Sequence, residues 1–107
     1  MNIINLTPHK ITLLDESNKV ILELESSGVA RCTVTRQKIK EINGIPVNRT
    51  VFGEVTGLPE PKPKTFYIVS RTVAEAVKDR KDILIVDDTV RDNEGRIIGC
   101  KAFATLN

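Results

Sequence analysis

A chain of 107 residues can build one core and is too short for two, so residues 1–107 are expected to form a single domain. Aromatic residues make up only 4% with no Trp, and the net charge is +2, which argues against stacking many bases or neutralising a long phosphate backbone. No apolar run reaches the roughly twenty residues that span a bilayer, and the start lacks a basic stretch followed by an apolar one; a reducing cytosol, with no membrane partner, is the expected setting.

Residues 2–6 are apolar and β-prone until Thr7-Pro8 interrupts them, since proline cannot donate to a ladder. The pattern resumes at Ile11-Thr12-Leu13-Leu14, breaks at the turn residues Asp15 to Asn18, and returns at residues 20–24, which predicts a hairpin. After Ser26-Ser27-Gly28, residues 29–42 read as a long strand rich in Thr, Val and Ile. Neither face of it is cleanly apolar, which predicts a bulge near Thr35 or a strand that outruns its sheet and leaves Arg36, Lys38 and Lys40 in solvent. Those cations read either as a stripe for anions or as charge that protects an edge from unwanted pairing. Asn43-Gly44 is the sharpest hairpin signal, because a two-residue I′ turn needs positive φ at both positions.

Residues 45–52 return from that turn, and Gly53, Gly57 and the Pro/Lys connector at residues 59–64 follow as surface loop. Residues 66–69 form a strand, residues 72–80 the one helix, and residues 83–86 a fully apolar central strand closed by Asp87-Asp88. Asp92-Asn93-Glu94-Gly95 is a further turn signal, across which Val90 is expected to pair with Ile97 or Ile98. The expected fold is α+β and β-rich, a single compact domain of about seven or eight mostly antiparallel strands with one short helix.

The junction of strand and helix at Ser70, Arg71 and Thr72 is the leading candidate site. A helix start exposes unpartnered amides and favours negative charge, so these residues are candidates to cradle a phosphate. Thr72 with Glu75 also fits a T-x-x-E capping box, which needs no ligand. His9, the one histidine, is a candidate hydrogen-bond donor, general acid or turn residue, with Asn5 and Thr7 near the same mouth. Arg91 is suited to clamp a second phosphate, and Asp92 either accepts from a sugar hydroxyl or starts the turn.

Cys32 and Cys100 lie far apart in apolar surroundings with no Cys or His at ligand spacing. They read as small hydrophobes, with a disulfide open only if they sit on adjacent strands, and neither a structural metal nor a cofactor is expected. No P-loop, G-x-S-x-G, H-E-x-x-H or G-x-G-x-x-G spacing occurs, which leans against the usual enzyme classes.

The ordered segments Asn5-Leu6-Thr7-Pro8-His9, Phe52-Gly53 with Gly57-Leu58-Pro59, Tyr67-Ile68-Val69-Ser70-Arg71, and Val90-Arg91-Asp92 with Gly95-Arg96-Ile97-Ile98-Gly99-Cys100 resemble a family of small phage and prophage proteins without an assigned role. Phage accessory proteins of this size include sponges that sequester the nucleotide signals of bacterial immunity. The resemblance therefore implies a homo-oligomer that binds a phosphate-containing ligand, such as a cyclic nucleotide or ADP-ribose derivative, in the host cytosol without turning it over. Under that implication His9, Ser70, Arg71, Thr72, Arg91 and Asp92 form the ligand site. Two rivals stand beside it: a metal-independent phosphodiesterase with His9 as general acid and Arg91 as charge stabiliser, and a protein-binding inhibitor or accessory protein that uses a sheet edge or the loop at residues 59–63.

Overall fold

Tyr67 and Ile68 are neighbours in sequence and both are 0% exposed, because successive strand residues point to opposite faces and this strand is covered on both. A computed structural model describes residues 1–107. The elements in chain order are β1 (Asn2–Asn5), β2 (Ile11–Leu14), β3 (Val20–Leu24), β4 (Arg31–Ile42), β5 (Ile45–Thr56), β6 (Thr65–Ile68), α1 (Arg71–Ala76), β7 (Ile83–Arg91) and β8 (Ile97–Ala104). Six of the strands make one mixed sheet in the order β1-β6-β7-β8-β2-β3, and β4 and β5 make a separate two-stranded ribbon. The result is the expected β-rich, single-domain fold with one short helix. The ladders of β4 with β5, β7 with β8 and β2 with β3 are antiparallel, while β1 with β6, β6 with β7 and β2 with β8 are parallel.

The core divides at β6. Tyr67 and Val69 join Leu6, Ala30, Val73, Ala74 and Ile83 on the side that α1 covers. Ile68 joins Ile11 and Cys100 on the concave side, flanked by the half-buried Leu84 and Phe103. The sheet curls until its two outer strands touch at one end, where Asn5 bridges Ser26 and the Ser27 amide donates to the Asn5 carbonyl at 2.9 Å. Toward Val20 the same edge gapes open, leaving Val20, Ile21 and Leu22 in solvent.

Several expectations are corrected. The helix covers Arg71–Ala76 instead of residues 72–80, and its cap is Ser70, whose Oγ accepts from the Val73 amide at 3.4 Å. Thr72 and Glu75 form no capping box; Glu75 instead accepts from Arg71 Nε at 3.3 Å, one turn away. Asp87-Asp88 does not close the central strand. Asp88 takes a positive φ of 51°, which Asp tolerates, and β7 continues through this kink to Arg91. Val90 pairs with Gly99 and Arg91 with Ile97, a register offset by a bulge between Val90 and Arg91. Asp92 starts the turn, accepting from the Glu94 and Arg96 amides at 2.9 and 3.0 Å.

The long-strand expectation is met in its first form and in the exposure of Arg36, Lys38 and Lys40, with bulges between Cys32 and Val34, close to Thr35, and between Lys38 and Lys40; the strand outruns no larger sheet, because it pairs with β5 alone. Asn43 and Gly44 have φ of 53° and 79° and connect the Ile42–Ile45 pair, as a I′ turn requires. At the far end Gly57 also has a φ of 79°, and a Cβ there would stand 2.5 Å from the Val29 carbonyl oxygen.

Beneath the body, Arg80 grips Asp82 through two hydrogen bonds of 2.9 and 2.6 Å, and its guanidinium lies 6.0 Å from the Tyr67 ring centre. The guanidinium holds the Asp82 carboxyl below its ordinary range, the hydrogen bond outweighing the opposing effect of burial.

Two outcomes are expected. Gly57→Ala combines a left-handed backbone with a clash against a carbonyl and should lose about 2–4 kcal/mol, whereas Gly44→Ala, with open space around it, should lose about 1–2 kcal/mol, both read from urea midpoints. Asp82→Asn should lose about 1–2 kcal/mol at neutral pH. A depressed carboxyl contributes above its ordinary pKa of about 4 and loses that contribution as the pH falls through the lower folded value, so the gap between variant and parent should close in acid. A gap that persists or widens there would refute the assignment.

Candidate functional site

The segment after β1 is shaped by one side chain. Asn5 is 1% exposed, and its amide is fully engaged: Nδ2 donates to the carbonyls of His9 at 2.7 Å and Leu24 at 3.0 Å, while Oδ1 accepts from the Thr7 amide at 2.9 Å and the Thr7 hydroxyl at 2.7 Å. These bonds fold Thr7-Pro8-His9 into a tight loop that stands against the start of β2. Asn5 is therefore a buried brace behind the mouth, while Thr7 and His9 face it.

Across from this loop lie the end of β6 and the first residue of α1. Between them opens a cleft of about 460 Å³, within the roughly 300–1,000 Å³ of small-molecule sites. Its walls include Thr7, His9, Lys10, Ser70 and Arg71, and its floor is apolar, with Ile11, Ile85 and Cys100 among the lining. No Asp or Glu lines it, so its formally charged residues are the cations Lys10 and Arg71. Gly99 lets β8 lie flush on β2: a Cβ there would sit 2.9 Å from both Leu14 Cδ1 and the Thr12 carbonyl oxygen.

Of the residues singled out in sequence, the fold brings His9, from the β1–β2 loop, and Ser70 and Arg71, from the junction of β6 and α1, into this cleft. It does not bring Thr72, Arg91 or Asp92 there. The Arg91 guanidinium donates to the Gly95 carbonyl at 2.7 Å, and the Asp92 carboxylate accepts from Arg96 Nε at 3.1 Å, so both serve the β7–β8 turn. The amides that lead α1 do not carry the site alone, since Ser70 covers that of Val73 and the helix spans only six residues.

Sequence alone does not mark Lys10 or Ile85 as site residues, and it reads Cys100 only as a small hydrophobe, which is how it serves in the floor. The alternation of Lys10 and Thr12 around Ile11 was the one available signal, and it gains meaning only once β2 is known to lie beside β8. Each cation has an anchor outside the cleft: Lys10 Nζ lies 2.6 Å from Glu23 Oε2, and Arg71 pairs with Glu75. The bond to Glu23 raises the Lys10 pKa further above neutrality, so the ammonium stays charged. Burial pushes the Cys100 thiol up, which disfavours the thiolate form a nucleophile needs.

No family model, curated protein or solved structure matches the chain.

If Asn5 braces the mouth, Asn5→Asp is the sharp test. The change keeps the shape and removes both donors, leaving a carboxylate against two carbonyls; about 3 kcal/mol or more should be lost at neutral pH. A carboxyl so placed has a raised folded pKa, so the variant should recover stability as the pH drops and the group regains one proton to donate. Equal destabilisation across pH would show that the two donor bonds are not what matters.

Proposed function

We propose that the cleft binds a small phosphate-containing ligand of nucleotide class and holds it without turnover, as a sequestering protein does. The observation that carries this reading is the cleft's lining: cations and hydroxyls at the walls, an apolar floor, and no carboxylate to repel an anion. A nucleotide divides the same way, with a phosphate for Arg71, Lys10 and the Ser70 hydroxyl, and a base or sugar face for Ile11, Ile85 and their neighbours.

Turnover has weak support in this geometry. General acid–base work needs two positioned groups, and His9 has no carboxylate partner in the lining. The Ser70 hydroxyl already accepts from the Val73 amide as a helix cap, and it makes no hydrogen bond to a side-chain base. The phosphodiesterase reading joins His9 to Arg91, which lies outside the cleft.

The test is a thermal-shift and calorimetric panel of inorganic phosphate, mononucleotides, cyclic dinucleotides and ADP-ribose derivatives, followed by denaturation and chromatography of the recovered ligand. At least one nucleotide should raise the melting temperature and bind more tightly than phosphate alone. It should also come back intact. Arg71→Ala should weaken that binding by about 1.5–3 kcal/mol with little effect on the fold, because this side chain is 69% exposed and its ion pair is a surface one. Absence of any stabilising nucleotide would sink the proposal, unchanged affinity in the variant would remove Arg71 from the site, and recovered fragments would make the protein an enzyme.

A further inference from the structure

The ribbon is the least explained part of the molecule. Every residue of β4 except Cys32, and of β5 except Val47 and Val55, is exposed. It stretches the molecule to 51 × 39 × 22 Å and a radius of gyration of 16.5 Å, against roughly 13 Å for a compact chain of this length. A two-stranded hairpin on its own is marginal in water.

Toward its tip, one face of the ribbon carries an apolar cluster set among polar side chains. Ile45, Val47 and Val51 alternate along β5, and the register sets Ile42 opposite Ile45 and Thr35 opposite Val51 on the same side, with the bulged Ile39 beside them. Ile42 and Ile45 are 52% and 64% exposed. Lys40 and Arg49 share that face, while Glu41 and Glu54 fall on the other. Two ribbons stacked face to face would thus bring four cations together with no carboxylate between them.

The body offers a better seat. β3 ends the sheet, and Val20, Ile21 and Leu22 are exposed in succession, so the strand is uncovered on both faces. The hairpin of β2 and β3 carries Asp15, Glu16, Glu23 and Glu25 against Lys10 and Lys19, a net −2. The ribbon carries Arg31, Arg36, Lys38, Lys40 and Arg49 against Glu41 and Glu54, a net +3. Apolar surface and opposite charge coincide.

We infer that two copies of the chain exchange ribbons, this face of each lying along the β3 edge of the other copy. Area selects exchange over a single contact. From Val34 to the tip, the free ribbon is about 30 Å long and about 10 Å wide at ordinary strand dimensions. Covering one face then removes roughly 600 Å² from both sides together, the scale of a packing contact; two contacts related by a two-fold axis reach about 1,200 Å², where specific dimers begin.

Light scattering after size exclusion on the full chain tests this. The parent protein should be a dimer that weakens with added salt. Ile42→Thr with Ile45→Thr in the ribbon, a β-branched pair that keeps the cross-strand match while removing apolar surface, and separately Ile21→Glu in β3, should each raise the dimer dissociation constant more than about tenfold. Because all three side chains are solvent-exposed, the far-UV dichroism should not change. Lys40→Glu with Arg49→Glu, which removes no apolar surface, should weaken the dimer at low salt and matter less at high salt. A parent that stays monomeric at every concentration overturns the inference, as does a dimer indifferent to the ribbon variant. A dimer lost in the ribbon variant yet untouched by Ile21→Glu would mean that ribbons meet each other, and would overturn the β3 seat.

Discussion

The amide of Asn5 is the constraint on which the rest of the molecule depends. Buried polar groups are tolerated when every donor and acceptor is used, and a fully used network then rigidifies what it touches. Here one amide ties the end of β1 to the end of β3 through Leu24 and to the mouth loop through Thr7 and His9. One side chain thus braces both the closed end of the sheet and the wall of the cleft, alongside the backbone bond from the Ser27 amide to the Asn5 carbonyl. The ribbon is launched from the same place, since the Ala30 amide donates to the Leu6 carbonyl one residue past Asn5.

What was legible in the sequence follows the range of the forces involved. The hairpins could be read because their signals are local: Asn43-Gly44 for the I′ turn, Asp92 to Gly95 for the β7–β8 turn, and the β-branched runs between them. The parallel pairing of β1 with β6 and of β2 with β8 was hidden, because it joins segments far apart in the chain and leaves no periodic trace. This is why half of the candidate site was found and half was not. Ser70 and Arg71 were visible as a local strand-to-helix junction, and His9 as a singular residue after a proline. That they face one another depends on long-range pairing, and so does the exclusion of Arg91. Helix length was misread for a different reason: residues 72–80 have helical propensity, yet the chain turns at Val77 to deliver Asp82 to Arg80 and start β7.

Two unlike materials are joined in this chain. The body owes its order to a small core centred on β6, with 14 of 107 residues buried, and so has little surplus to stabilise an appendage. The ribbon relies on its turn, its cross-strand pairs and a root where Cys32 and Val55 pack on that core. Unpaired cations along a ribbon are a common guard against indiscriminate edge pairing, and here they also make the face with the apolar cluster selective. In the proposed exchange such a face would repel its own copy and accept an acidic one. Apolar surface supplies the drive and charge supplies the choice.

The same logic of competing charge governs the cleft. Lys10 and Arg71 already have carboxylate partners, Glu23 and Glu75, set outside the lining. All four side chains are well exposed, and surface pairs of this kind are worth no more than about 1 kcal/mol. In the proposed binding, a phosphate with two or more oxygens would offer each cation a stronger charge-assisted bond than the carboxylate it releases. The resident pairs thus restrain the cations near the mouth at little energetic cost to a ligand. A carboxylate within the lining would act in the opposite sense, repelling the phosphate directly and supplying a candidate base. The proposed capture of an anion rests on the cations and hydroxyls that line the mouth instead.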